Sequence, residues 1–233
     1  MNEFDTIIIG GGIAGSSAAF HLANKNNSKI LLIEQQTISS GASGLNAGQI
    51  GSTGWGNIPD LSSYLTHGSL EIFKSLQLDL GYDIEFRQSG SLAAIQTKVQ
   101  YDFVMDTVMK MKKGGKNVEI LSTREARSIE PEISENFLGF VFYPLRAQAD
   151  PVKSTVAFSD AAFKSGVQIN INEEVKNIEQ NSDNTFNLQT SLNNYYCKNL
   201  ILATGAWSNK LGKLLNLDIP IIPVRGQMWA TKP

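Results

Sequence analysis

Three glycines near the start of the chain have a spacing that is typical of phosphate binding. Gly10, Gly12 and Gly15 form the pattern G-x-G-x-x-G. They allow a tight turn, a close approach of the backbone to a pyrophosphate, and close packing of a helix on a strand. The free amides at the start of that helix would then bind the phosphates. Alone, the pattern also fits a glycine-rich turn that binds no ligand.

An acidic residue supports the interpretation as a dinucleotide site. Glu34 lies nineteen positions after Gly15 and follows an apolar run. An acid in that position accepts hydrogen bonds from the hydroxyl groups of a ribose. The glycines and Glu34 together therefore predict dinucleotide binding.

The residues around the motif predict one βαβ unit. The β-branched run Thr6–Ile9 indicates a strand that is buried on both faces. Residues 16–23 carry small side chains and predict a helix, and residues 29–34 predict a second buried strand. Two strands joined in this way lie parallel to each other, with a right-handed crossover.

The loop after the second strand bears on the choice between NAD and FAD. Residues 39–57 are dense in serine and glycine and have no hydrophobic period. A simple nicotinamide-binding fold proceeds quickly to its next helix, whereas small residues let the backbone pass close to a large planar ligand. The loop therefore favours FAD, although a mobile surface connection would have a similar composition.

Further along the chain, hydrophobic spacing and turn residues predict four more helices and several short strands. Ser122 and Glu125 form a capping box, and Asp150 before Pro151 is typical of a helix start. The predicted helices cover residues 61–76, 101–111, 123–130 and 151–164. The predicted strands lie within residues 84–95, 167–171, 175–180, 186–190 and 200–203.

Composition and charge argue against several classes of function. The 233 residues include 20 Lys and Arg against 22 Asp and Glu, a formal net charge of −2. This balance offers no electrostatic footprint for nucleic acid. No apolar run approaches the roughly 20 residues of a membrane span. The sequence motifs of serine hydrolases, P-loop proteins and zinc proteases do not occur.

Few side chains offer other chemistry. Cys197 is the single cysteine, so the sequence excludes an internal disulfide, and we expect a small buried apolar role for it. His21 and His67 are the two histidines, which disfavours a zinc site, and we expect both to be packing or surface residues. The first residues match neither a secretory nor a transit signal, so we expect a cytoplasmic protein.

The motifs taken together resemble the D-amino-acid oxidase-like family of FAD-dependent oxidoreductases. That family includes glycine and sarcosine oxidases and the sarcosine and dimethylglycine dehydrogenases. The matching stretches occur in the family's order and cover nearly all of the chain. They are IIIGGGIAGSSAAFHLA, LLIEQQ, SGASGLNAGQI, EFRQSGSL, ADPVKSTVAF, LILATGAWS and PVRGQ.

The resemblance implies a set of residues that bind FAD. Those expected at the pyrophosphate are Gly10, Gly12, Ile13, Ala14 and Gly15. Those expected at the adenosine ribose are Glu34 and Gln35. Those expected along the pyrophosphate and flavin are Ser40, Ser43, Ala47, Gly48 and Gln49, with Gln49 and Ile50 nearest the ring. Val175 would meet the adenine through its backbone. Those expected to close over the cofactor are Ala203, Thr204, Gly205 and Trp207.

The resemblance also implies the reaction. Members oxidise a C–N bond of an amino acid or secondary amine by hydride transfer to the flavin, which leaves an imine that water hydrolyses. Oxygen or an electron-transfer protein then reoxidises the flavin. Some members attach FAD to a histidine in the segment that here covers residues 44–48, which contains no histidine. We therefore expect non-covalent FAD.

The implied fold is α/β, with a Rossmann-like FAD-binding domain that contains a central parallel sheet and a β-meander. Residues 1–81 and 140–220 would form this domain, and residues 82–139 and 221–233 would form part of an α+β substrate domain. Full members are longer, so we expect the C-terminal part of that second domain to be missing and the isolated chain to be poorly soluble. An inactive FAD-binding fragment and an NAD-dependent dehydrogenase are the alternatives.

Overall fold

The computed structural model describes residues 2–25, 28–51 and 60–229, which form two units. The first unit consists of Met1–Ala47 and Asp150–Pro233, and the second of Gly48–Ala149. The described residues of 48–81 and 140–149 lie in the second unit, although we expect them in the FAD-binding domain. Residues 221–229, which we expect in the substrate domain, lie in the first unit. The function of each unit stays a prediction.

Eleven strands and six helices are found among the described residues. The strands are β1 (Asn2–Ile9), β2 (Ile30–Ile33), β3 (Gln49–Ile50), β4 (Ser91–Ile95), β5 (Glu119–Leu121), β6 (Gly139–Tyr143), β7 (Ala147–Gln148), β8 (Gln168–Asn170), β9 (Val175–Gln180), β10 (Phe186–Thr190) and β11 (Asn194–Leu202). The helices are α1 (Ile13–Ala23), α2 (Asp60–Leu78), α3 (Lys98–Lys113), α4 (Thr123–Ile129), α5 (Pro151–Lys164) and α6 (Ser208–Gly212).

The first unit is built on a six-stranded sheet with the order β8-β2-β1-β11-β10-β9. Strands β8, β2, β1 and β11 are parallel, and β11, β10 and β9 form an antiparallel meander. Ile7 of β1 lies beside Leu31 of β2 and Leu200 of β11. This arrangement confirms the predicted α/β class with its parallel sheet and meander.

The parallel strands are buried on both faces, which explains their nearly continuous apolar sequence. Ile8 and Leu32 pack on one side in a cluster that includes Ala19 of α1 and Ala162 of α5. Ile7 and its neighbours pack on the other side against the meander. The buried residues of that second cluster are Phe4, Ile7, Ile9, Leu31, Ile33, Val175, Ile178, Leu188, Tyr195 and Cys197.

Local sequence signals predicted the starts of α4 and α5 correctly. The carboxylate of Asp150 accepts a hydrogen bond from the Lys153 amide at 2.7 Å, and Pro151 occupies the first turn of α5. The predicted capping box of Ser122 and Glu125 is confirmed at the start of α4. Strand β11 begins six residues earlier than the predicted strand at residue 200, because its first half pairs with β10 of the meander.

The second unit contains an antiparallel sheet with the order β4-β6-β5. Helix α3 packs on it through Val104 and Val108, which share a cluster with Val141 of β6. The short strands β3 and β7 form a separate antiparallel pair. Only β4 forms a strand within the predicted span 84–95, and Arg87 adds an isolated bridge to Gln148.

Among the described helices, none combines the length and apolar character that a bilayer crossing requires.

The packing of α1 on the sheet generates a prediction for Gly15. A Cβ atom at this position would lie 1.9 Å from the carbonyl oxygen of Gly10. Gly15→Ala must therefore push the helix away from β1, and we expect it to lower the free energy of unfolding by about 1–3 kcal/mol in urea denaturation.

Gly68 of α2 provides the matched control, because a Cβ atom there meets nothing within 4 Å. Gly68→Ala should leave stability unchanged or raise it by up to about 1 kcal/mol through helix propensity. Equal stability of Gly15→Ala and the wild-type chain would contradict the close-packing explanation.

Candidate functional site

The glycine-rich loop lies at the carboxyl end of β1, between β1 and α1. Strand β1 has β2 on one side and β11 on the other, and both neighbours are parallel to it. In open α/β sheets, ligands bind beyond the carboxyl ends of the strands where the chain order diverges. The position of the loop is therefore that of a ligand site.

Two glycines are required by the backbone path itself. Gly10 has φ +113°, and a Cβ atom on it would lie 2.4 Å from the carbonyl oxygen of Ala203. Gly15 brings the first turn of α1 against Gly10, as described above. Both contacts exclude a side chain, so the loop and the helix start are held close to the ends of β1 and β11.

The amide groups at the start of α1 lack a full set of acceptors among the described residues. The Ser43 hydroxyl accepts a hydrogen bond from the Ile13 amide at 2.9 Å, and the Gly12 carbonyl accepts one from Ser16 at 2.9 Å. Within residues 2–25, 28–51 and 60–229, no acceptor is found for the amides of Ala14 and Gly15. Such amides, with the positive end of the helix dipole, favour an anion.

Glu34 is buried beside the loop, with an exposed fraction of 9%. Its carboxylate accepts hydrogen bonds from the Gly11 amide at 2.7 Å and the Gln36 amide at 2.8 Å. A carboxylate has about four acceptor positions, so two remain for ribose hydroxyls. Glu34, which is predicted to bind ribose, therefore also holds the glycine-rich loop in place. Its neighbour Gln35, predicted for the same role, is exposed.

The segment after β2 returns to the glycine-rich loop. The Ser39 amide donates to the Gly11 carbonyl at 3.0 Å, and Ser39 has φ +69°. This turn brings Ser43 to the start of α1, whereas Ser40 and Ala47 are exposed in the same segment. The side chain of Ser43 therefore belongs to the candidate site.

Gly48 and Gln49 lie in the second unit. The Gly48 carbonyl accepts a hydrogen bond from the Ala149 amide at 3.0 Å, and Gln49 pairs with Gln148 in the β3–β7 ribbon. Ile50 pairs with Ala147 in the same ribbon. Their expected role near the flavin stays a prediction.

The turn that follows β11 borders the candidate site in the first unit. The Ala203 amide donates to the Ile9 carbonyl at 2.9 Å, and Gly205 turns the chain with φ +51°. The Thr204 hydroxyl donates to that of Ser208 at 3.1 Å. The Trp207 ring lies 4.0 Å from where a Cβ atom on Gly41 would stand, so this turn and the segment after β2 meet.

The turn between β8 and β9 lies beside Glu34. The Glu34 amide donates to the Asn170 carbonyl at 2.8 Å, and the Glu173 amide donates to the Glu34 carbonyl at 3.0 Å. Val175, expected at the adenine, follows this turn and is buried at the start of β9. Sequence reasoning missed Glu173, for which the only signal was an acidic pair directly before a strand.

Comparison with known proteins agrees with this geometry. The family described as FAD dependent oxidoreductase (DAO) matches residues 5–233. The chain belongs to this family. FAD is accordingly the cofactor, and the free amides of Ala14 and Gly15 and the spare acceptors of Glu34 fit its pyrophosphate and ribose.

Individual members of the DAO family resemble the chain at about one quarter identity. Dimethylglycine dehydrogenase of Homo sapiens is 25% identical over 97% of the chain and 26% of its own length. Glycine oxidase of Geobacillus kaustophilus is 26% identical over 97% of the chain and 61% of its own length. The chain therefore spans about a quarter of the first relative and three fifths of the second.

Solved structures of DAO family members show the same fold. The crystal structure of the Geobacillus kaustophilus glycine oxidase has a TM-score of 0.84 and covers 93% of this chain and 59% of its own. That of glycine oxidase from Bacillus cereus is 30% identical, with a TM-score of 0.80, over 90% of this chain and 57% of its own.

Side chains that other enzyme classes would use are in unsuitable surroundings. Burial and the nearby Lys25 lower the pKa of His21, which packs against Phe20 and Phe158 at ring distances of 5.1 and 6.4 Å. His67 is exposed on α2. Among the described residues, no group of three or more His, Cys, Asp and Glu is placed to hold a metal ion.

Ser43 generates a prediction about this DAO-family site. Ser43→Ala removes the acceptor of the Ile13 amide and should lower the free energy of unfolding by about 1 kcal/mol, as loss of a helix cap does. Ser40→Ala, in the same segment but exposed, should change it by less than about 0.5 kcal/mol. Urea denaturation of both variants measures the difference, and equal effects would contradict the capping role.

Cys197 generates a prediction about reactivity. The thiol is fully buried, and burial raises its pKa to about 11, so the thiolate is scarce at pH 8. We expect a disulfide reagent such as DTNB to label the native chain very slowly at pH 8 and one thiol per chain at once in denaturant. Labelling should quicken as the pH rises toward 11. Rapid labelling of the native protein at pH 8 would contradict the buried position.

Proposed function

We propose that the chain binds FAD without a covalent bond and forms the cofactor-binding part of an enzyme that oxidises a C–N bond of an amino acid or secondary amine. One observation carries the proposal. Free amides at the start of α1 stand beside the buried carboxylate of Glu34, at the carboxyl end of parallel strands. Membership of the DAO family favours FAD over the NAD alternative.

Each part of the site has a distinct task in this proposal. The amides of Ala14 and Gly15 bind the pyrophosphate, since they lack acceptors among the described residues. Glu34 binds ribose hydroxyls through its remaining lone pairs. Ser43 keeps the first turn of α1 in place. The backbone near Val175 meets the adenine.

Two features of the chain bear on how the cofactor is attached. Residues 44–48 contain no histidine, the side chain to which some members of the family attach their flavin. Cys197 is buried in the core that the sheet and the meander share, so it is not accessible to a flavin ring. Both observations favour non-covalent FAD.

When bound, the flavin supplies an acceptor for two electrons in the form of a hydride. Loss of a hydride from the substrate carbon would turn the C–N single bond into an imine, with an N–H proton released to water, or into an iminium ion where the amine is tertiary. Water then divides the imine into a carbonyl compound and an amine. Molecular oxygen or an electron-transfer protein takes the two electrons at the end of the cycle.

The substrate class is supported by the names of the relatives, which are a dimethylglycine dehydrogenase and two glycine oxidases. Glycine and its N-methyl derivatives are therefore the first substrates to test. Because the chain covers only part of each relative, the experiment below compares these substrates directly.

Anaerobic reduction of the flavin provides the test and the expected outcome. The purified chain, loaded with FAD, is mixed without oxygen with glycine, sarcosine or dimethylglycine, and visible absorbance is followed. We expect at least one of these amines to bleach the flavin and to yield the carbonyl product. Glycolate, which has a hydroxyl group in place of the amine, is the matched control and should leave the spectrum unchanged.

Two results would contradict parts of the proposal. If FAD binds but no amine bleaches it, the chain is an inactive FAD-binding fragment. If glycolate bleaches the flavin and the amines do not, the proposed C–N chemistry is wrong.

A further inference from the structure

The turn between β8 and β9 contains a second buried carboxylate. Glu173 has an exposed fraction of 2%. Within the described residues, no lysine or arginine forms an ion pair with it. A buried charge without a cation requires several hydrogen-bond donors, because desolvation alone is costly.

Four neutral side chains supply those donors. The Tyr195 hydroxyl lies 3.0 and 3.1 Å from the two carboxylate oxygens of Glu173, and the side-chain amide of Asn170 donates at 2.8 Å. The Thr190 hydroxyl also donates to this carboxylate, and the amide of Asn193 lies at 3.4 Å. The donors come from β8, β10, β11 and the β10–β11 turn, so one carboxylate joins the three strands.

The network favours the ionised form of Glu173. Burial alone would raise the pKa of Glu173, but hydrogen bonds from Thr190, Asn170, Tyr195 and Asn193 together hold the pKa below the ordinary glutamate value. The group therefore stays a carboxylate at neutral pH.

The same turn is attached to the main chain of Glu34. Besides the two hydrogen bonds of Glu34 with Asn170 and Glu173, the Asn172 amide donates to the Gln36 carbonyl at 2.8 Å. Asn172 has φ +55°, a conformation that needs support from its surroundings. The turn thus borders the segment whose carboxylate is expected to bind ribose, and it leads directly into Val175.

We propose that Glu173 is a positioning residue for the adenosine half of the cofactor. Its carboxylate fixes the turn between β8 and β9, and the turn fixes both the main chain of Glu34 and the start of β9 at Val175. Glu173 itself need not touch the ligand. This inference rests on the proposed function, since it assumes that the first unit binds the adenosine half of FAD.

An uncharged replacement should disturb the turn although it fits the space. In Glu173→Gln one acceptor oxygen becomes an NH₂ group that faces donors from Asn170, Thr190 and Tyr195. At least one buried donor then loses its acceptor. Either the neighbouring residues move to satisfy that donor, or the folded state loses stability because the donor stays unpaired. We expect the turn to loosen while the sheet stays folded.

The experiment measures ADP binding to the full 233-residue chain by titration calorimetry at a temperature where each variant is folded by circular dichroism. Glu173→Gln should bind ADP about tenfold more weakly than the wild-type chain, which corresponds to about 1.4 kcal/mol. Amide hydrogen exchange at Glu34, Asn172 and Glu173 should become faster. Glu174→Gln is the matched control, because Glu174 is partly exposed and pairs with Lys176. It should change neither quantity.

A second control separates positioning from a general loss of stability. Leu188→Ala removes a buried side chain of β10 and should lower the melting temperature while leaving the ADP affinity of the folded protein unchanged. Tyr195→Phe removes one donor to Glu173 and should weaken ADP binding about two- to threefold. Tyr195→Phe therefore tests the positioning role of Glu173 if Glu173→Gln does not fold.

The outcomes are distinct. Unchanged ADP affinity in folded Glu173→Gln, or in Tyr195→Phe if the first variant does not fold, would overturn the positioning role. Equal weakening by Leu188→Ala would overturn it too, because stability alone would then explain the loss. A wild-type chain that binds neither ADP nor FAD would instead contradict the proposed function.

Discussion

Four hydrogen bonds converge on Glu34, and the candidate site depends on them. The side chain of Glu34 holds the amides of Gly11 and Gln36, and its main chain joins Asn170 and Glu173. One residue at the end of β2 therefore ties together the phosphate loop, the segment after β2 and the turn before β9. Because a buried carboxylate is stable only with such donors, the residue that would recognise ribose also maintains the shape of its own site.

Local sequence signals were sufficient for the central elements and insufficient for their long-range contacts. The glycine spacing, the apolar runs of β1 and β2 and the caps at Asp150 and Ser122 act within a few residues, and the structure agrees with them. The second task of Glu34 depends on an amide 23 positions away. The length of β11 depends on pairing with the meander, which no local pattern encodes. The division into units likewise depends on contacts between distant segments, which no local pattern encodes.

Among the described residues, Glu34 and Glu173 are held by neutral hydrogen-bond donors and not by lysine or arginine. Glu34 uses backbone amides, and Glu173 uses hydroxyl and side-chain amide donors. A lysine or arginine at either place would attract the phosphate and would so compete with the amides at the start of α1. Neutral donors avoid that competition and leave the amides at the start of α1 as the attraction for an anion. We therefore infer that backbone geometry, more than net charge, positions the adenosine half of the cofactor.

A fluorescence titration of FAD with the purified chain tests whether the start of α1 and Glu34 bind the cofactor. We expect saturable quenching of the flavin with one FAD per chain, reversed by ADP in excess, because ADP carries the groups that meet the start of α1 and Glu34. Failure of FAD to bind, or binding that excess ADP does not reverse, would contradict the assignment of the cofactor to this site.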